Sequence, residues 1–151
     1  MPPDAILTAH LVLSSRFANI EVAERTLVDL ADQAGFSGDD SYWLVTAMRE
    51  AAANAIRHGN RPDPGLEVVI DYRFSGDEIV IRIEDQGDGF DLGDVPDPTD
   101  PGYLLRPSGR GIFYMRQFMT SVEFSRTPGG GTVVEMTRRL EPETRSATDE
   151  E

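Results

Sequence analysis

Residues 66–85 read as two alternating runs, LEVVIDYRF and EIVIRIED, separated by the short break SGD. A period of two over eight or nine residues marks a strand with one buried face, and two such runs around a Gly-containing break make an antiparallel hairpin. In the second run Ile79, Ile81 and Ile83 share a face. The alternation stops at EDQGDGFD, residues 84–91, where charges and glycines replace apolar side chains. Asp and Gly are common turn formers, and Gly87 and Gly89 admit backbone angles closed to other residues, so the segment alone is compatible with a simple turn.

Other elements flank this hairpin. AILTAHLVLSS reads as a first strand and NIEVAERTLVDLADQAG as an amphipathic helix ended by Gly35. SYWLVTAMREAAANAIRHG is Ala-rich and free of Pro and internal Gly, which predicts a central helix closed by Gly59 as a C-terminal cap. From Gln86 to about Ser108 the chain carries four Gly, four Pro and five Asp without helical or strand period, the composition of a lid, a binding loop or a disordered linker. GRGIFYMRQFMT then reads as a third helix, SVEFSRT as a strand, PGGG as a turn and TVVEMTRRL as a last strand. Three helices and five strands predict an α+β two-layer sandwich, a mixed, mostly antiparallel sheet covered on one face by helices. A single domain over residues 1–140 is expected. The tail EPETRSATDEE, residues 141–151, has five acids and no large apolar residue and is expected to be disordered.

Composition narrows the chemistry. The chain has no cysteine, which excludes disulfide frameworks and thiolate metal sites. Its net charge of −13 argues against nonspecific attraction to nucleic acid or anionic lipid. Backbone N–H groups and a bound cation can nevertheless hold a phosphate locally. The start MPPDAILTAH lacks a basic region followed by an apolar core, and no run approaches the roughly 20 apolar residues of a membrane span. A soluble, cytoplasmic chain is expected, with no direct nucleic-acid or membrane partner.

In the central helix Glu50, Asn54, Arg57 and His58 fall at spacings that place them along one polar face. Such a stripe alone reads equally well as a solvated face, and His58 as a cation at a helix end. In combination with the carboxylate-glycine loop and a second glycine pair, Gly109 and Gly111, opening a helix, it suits a nucleotide. The amide oxygen of Asn54 is a neutral hard ligand for magnesium, which keeps waters and phosphates as other ligands. Glycines at a helix start let backbone donors approach phosphate, and Asp85 offers a fixed acceptor for an adenine amino group. SGRG is neither the phosphate loop ending in Gly-Lys-Ser/Thr nor the dinucleotide fingerprint.

Taken in order, REAAANAIRHGN resembles the N box, EDQGDGFD the first glycine box, and SGRGIFYMRQFM with GGGTVVEMTRR the second glycine box and closing strand of the GHKL ATPase superfamily. Their spacing resembles the anti-sigma-factor serine/threonine kinases of the RsbW type, from about Ala5 to Leu140. The resemblance implies the Bergerat ATP-binding fold, with ATP and Mg2+ as cofactors. It implies Glu50 as general base, Asn54 as magnesium ligand and Asp85 as the residue that recognises adenine. Arg57, His58, Gly87, Gly89 and Phe90 would border the nucleotide, and residues of roughly 91–108 would form a lid. Ser108, Gly109, Arg110, Gly111 and Ile112 would border the phosphates, and Thr132 would support adenine recognition from the last strand. Some members carry an Arg just before the Ser-Gly of the second box; here Pro107 stands there, with Arg106 and Arg110 nearby.

The activity implied is phosphorylation of a STAS-type anti-anti-sigma protein by a chain that also binds a sigma factor. Family members often dimerise, so a homodimer is admitted. The alternative is a non-catalytic ATP-binding anti-sigma or adaptor module, against which Glu50 argues.

Overall fold

Gly76 and Asp77 alone separate the strands of the hairpin. β2 (Glu67–Ser75) and β3 (Glu78–Asp85) pair antiparallel, with Ser75 opposite Glu78 at the turn, where Gly76 supplies a φ of 61°. Ile70 faces Ile83, Tyr72 faces Ile81 and Phe74 faces Ile79, all buried. The next pair in this buried row is Val68 with Asp85. Period two therefore carries a carboxylate onto the core side of the sheet.

The computed structural model describes residues 5–36, 38–60, 63–87 and 115–139, apart from the side chain of His58. β1 (Ile6–Ser14), β4 (Ser121–Arg126) and β5 (Thr132–Arg139) complete a five-stranded sheet of order β1-β2-β3-β5-β4. All four pairings are antiparallel. The mixed sheet expected from the sequence thus has no parallel pair among the described residues. β5 lies between β3 and β4 and runs antiparallel to both, so these two share a direction without pairing.

A 3-10 turn (Phe17–Asn19) leads into α1 (Ile20–Ala34), and α2 (Asp39–Asn54) follows. α1 buries Ala23, Leu27, Leu30, Ala31 and Ala34, and α2 buries Leu44, Ala47, Met48, Ala51 and Ala52, spacings of three and four that form one face of each helix. These faces join Tyr72, Phe74 and Ile81 in one core. The Tyr72 hydroxyl donates to the Ala23 carbonyl at 2.8 Å, and burial pushes its pKa well above the ordinary phenol value. Gly35 is left-handed at φ 89° and ends α1 as the sequence predicts, after which Phe36 turns inward onto Phe74 with ring centroids 5.3 Å apart.

The end of the central helix differs from expectation. α2 passes at Asn54 into a π-helical turn, Ala55–Gly59, closed by the bond from Asn60 N–H to the Ala55 carbonyl at 2.8 Å. Gly59 is not among the residues with positive φ, so it is not a left-handed cap; the reason for a glycine there is close packing against β3.

Of the expected third helix, residues 115–120 are described; 115–118 are helical, and Met119 and Thr120 already lie beyond the helix end. The expected lid and acidic tail lie outside the described residues. No helix among the described residues is long and apolar enough to cross a membrane.

Candidate functional site

At the end of β3, Asp85 is only 2% exposed. Its Oδ1 accepts hydrogen bonds from the backbone N–H of Thr132 at 3.1 Å and of Gly87 at 3.2 Å. Burial pushes its carboxyl pKa above the ordinary value; the two N–H donors and the Arg126 charge pull the other way, and Glu84 adds to the rise. A carboxylate held so deep, with no cation bonded to it among the described residues, is costly unless a ligand uses it.

Three glycines make room for it. A Cβ on Gly59 would overlap the Asp85 carboxylate, one on Gly87 would overlap the Gly59 carbonyl, and one on Gly131 would overlap the Asp85 carbonyl. Helix end, strand end and β4–β5 turn therefore meet at backbone contact around one side chain. Asn60, 1% exposed, joins the same corner: its Nδ2 donates to the Glu67 carbonyl at 3.0 Å and its Oδ1 accepts from Gln86 N–H at 2.9 Å. Gln86 Oε1 in turn accepts from Glu67 N–H at 2.7 Å.

Asp85 borders a small cleft that is open to solvent at one side. α2 contributes Ala51, Asn54 and the adjoining Ala55; β3 contributes Ile83 as well as Asp85. Met115, Phe124, Thr132 and Val134 supply the remaining wall. A mostly apolar slot with a few fixed polar groups suits a flat heteroaromatic ring with one polar edge. Asn54 is 5% exposed, and its Nδ2 has no hydrogen-bond partner among the described residues. Glu50, one turn earlier on α2, is half-buried, and its carboxylate makes no ion pair or hydrogen bond among the described residues.

The structure thus brings Asn54, Asp85 and Thr132 to one cleft, with Gly87 beside it and Glu50 one turn away. Arg57 is not among the residues that line it. The wider π-helical turn rotates Arg57 off the face of Glu50 and Asn54, and its guanidinium carbon lies 5.7 Å from the ring centroid of the half-exposed Phe17. The side chain of His58, and Gly89, Phe90, Ser108, Gly109, Arg110, Gly111 and Ile112, lie outside the described residues.

The profile of the histidine kinase-like ATPase domain matches residues 13–138. The chain belongs to this family. It is similar to the anti-sigma F factor of Oceanobacillus iheyensis, 32% identical over 134 residues that cover 86% of this chain and 90% of that protein. It is also similar to the serine-protein kinase RsbW of Bacillus licheniformis, 31% identical over 130 residues, 82% of this chain and 80% of that one. Among solved structures, a crystal structure of the RsbU and RsbW domains of a Mycobacterium tuberculosis protein aligns with a TM-score of 0.65 at 18% identity. That alignment covers 89% of this chain and 32% of the other, and the likeness is one of fold.

As an ATPase-domain family member, the chain can be tested for a metal. Among the described residues no group of three or more acidic or His side chains could hold one. Magnesium does not need such a cage, because it is commonly bound through one or two protein oxygens together with waters and substrate phosphates. Asn54 fits that demand through its side-chain oxygen, a neutral hard donor on a buried amide at the cleft wall.

Sequence reasoning missed Asn60, Gly131 and the apolar wall of Met115 and Phe124. One signal was available for Gly131. The run of three glycines exceeds what the turn needs, since Gly130 alone has positive φ there, at 96°.

Proposed function

We propose that the chain is an ATP- and magnesium-dependent protein serine/threonine kinase that works in the cytoplasm as an anti-sigma factor. It binds a sigma factor, and it phosphorylates a serine or threonine of a STAS-type anti-anti-sigma partner. The observation that carries the reading is Asp85, buried at a strand end with one oxygen fixed by two N–H donors, in a cleft shared with Asn54. The names of the relatives support the anti-sigma and kinase roles.

Asp85 accepts a hydrogen bond from the adenine amino group, with Thr132 and the glycines keeping the carboxylate in place. Asn54 holds the metal. Magnesium, when bound, offsets phosphate charge during phosphoryl transfer. Glu50 orients the acceptor hydroxyl and takes its proton; that its carboxylate has no ion pair or hydrogen bond among the described residues supports that role.

The test is phosphorylation of candidate acceptor proteins by labelled ATP, with Glu50→Gln in parallel. The variant keeps ATP and sigma-factor binding and loses transfer by roughly 10²- to 10⁴-fold, the usual share of general-base catalysis. Equal rates in parent and variant would remove Glu50 from the role of base. A parent that binds ATP and sigma factor but modifies no acceptor would favour the non-catalytic module.

A further inference from the structure

Arg138 lies six residues along β5 from Thr132 and reaches two other elements. Its Nη1 donates to the carbonyl oxygen of Phe118, and its Nη2 to Oδ1 of Asp40 at 3.4 Å. Asp40 is buried in the first turn of α2, at 7% exposure. The Arg138 Nε is also buried and has no partner among the described residues. A guanidinium fork can span a helix-end carbonyl and a carboxylate together, which a compact ammonium does less well.

Phe118 is attached a second time. Its ring stacks on Trp43 of α2 with centroids 4.2 Å apart and planes at 27°. In the same helical turn Met115 is fully buried and forms part of the cleft wall. All three elements that meet at Arg138 also contribute to the cleft: α2 through Asn54, β5 through Thr132, and residues 115–118 through Met115.

We propose that Arg138 is a positioning residue for nucleotide binding. By tying the Phe118 carbonyl to Asp40, it holds the 115–118 turn against α2, sets how far Met115 enters the cleft, and thereby sets nucleotide affinity. The inference rests on reading the cleft as the ATP site. A brace with a structural role alone behaves differently: its loss lowers stability but leaves the folded protein's affinity unchanged.

The experiment measures magnesium-ATP affinity by calorimetry, thermal midpoint, and emission of Trp43, the chain's single tryptophan, in the parent, Arg138→Gln and Arg138→Lys. Arg138→Gln should weaken ATP binding by about tenfold, the size of one lost charge-assisted hydrogen bond. It should also change Trp43 emission as Phe118 loses its anchor, and Arg138→Lys should recover part of both. A lower midpoint with unchanged affinity would overturn the proposal. Should Arg138→Gln fail to fold, Asp40→Asn keeps side-chain size and an acceptor oxygen; it should cost about threefold in affinity with the same direction of emission change. Unchanged affinity in that folded variant would also overturn the proposal. Absence of ATP binding in the parent would overturn the proposed function and this inference together, whereas equal binding by parent and variants would overturn this inference alone.

Discussion

Gly59 and Asp85 are packed so closely that a single Cβ on the glycine would overlap the carboxylate. Twenty-six residues apart, they join the end of the central helix to the end of β3. The contact sets where the carboxylate stands relative to Asn54, five residues before Gly59, and so fixes the width of the cleft between them.

Gly59→Ala should therefore displace Asp85 or the helix end. Overpacking at such a contact costs about 1–3 kcal/mol of stability, and ATP affinity should fall with it. Gly129→Ala is the control, because its Cβ would meet nothing nearer than the Thr127 hydroxyl at 3.8 Å. Chemical denaturation and calorimetry on both variants check this; equal effects would show that the Asp85 contact is not special.

Asn60→Ala should destabilise the protein without touching the ligand. It removes the acceptor of Gln86 N–H and the donor to the Glu67 carbonyl. Leaving such groups unpaired costs about 1–3 kcal/mol each, and a shift in urea midpoint measures the loss.

Asp85→Asn should oppose binding and stability. ATP affinity should drop sharply, because an amide can present its NH₂ to the adenine amino group and has lost the charge of a strong acceptor. Apo stability should hold or rise at neutral pH, since the native carboxyl pays for burial as a charged group. A thermal scan beside calorimetry separates the two effects.

The pH dependence follows with a definite sign. Burial holds the folded pKa of Asp85 above the ordinary carboxylate value that it keeps in the unfolded chain. The Asp85 contribution to stability is then fully present below that value and is lost as pH rises through the folded pKa. Relative to Asp85→Asn, the apo parent should lose stability over that window. ATP affinity should run the other way, rising with pH as the carboxylate ionises. Titrations of both quantities at several pH values check the opposing slopes.

Asn54→Ala should abolish the effect of magnesium on ATP binding with little loss of apo stability, because the amide nitrogen it removes has no protein partner among the described residues. ATP titrations with and without magnesium decide it; an undiminished magnesium effect would remove Asn54 as the ligand.

The hairpin could be read from the sequence because its information is local. Alternation over residues 79–85 states which side chains share a face, and Asp85 simply continues the row of Ile79, Ile81 and Ile83. Gly35 was legible for the same reason, since a helix cap is defined by its immediate neighbours. The amide–carboxylate pair, Asn54 and Asp85, was legible through motif order, and the structure puts both on one cleft.

Other features had no local signature. The α-to-π change after Asn54 turned Arg57 toward Phe17, although the spacing alone placed it with Glu50. Gly59 looked like a helix cap and is instead a point of backbone approach. Thr132 reaches Asp85 across 47 residues, and Arg138 reaches Asp40 across 98. The sequence by itself determined the strands, the helices and which of their faces are buried, because short-range periodicity encodes burial. Only the tertiary structure decided which glycines must be glycines and which polar residues share a cleft, because those depend on distances between elements that no local pattern records.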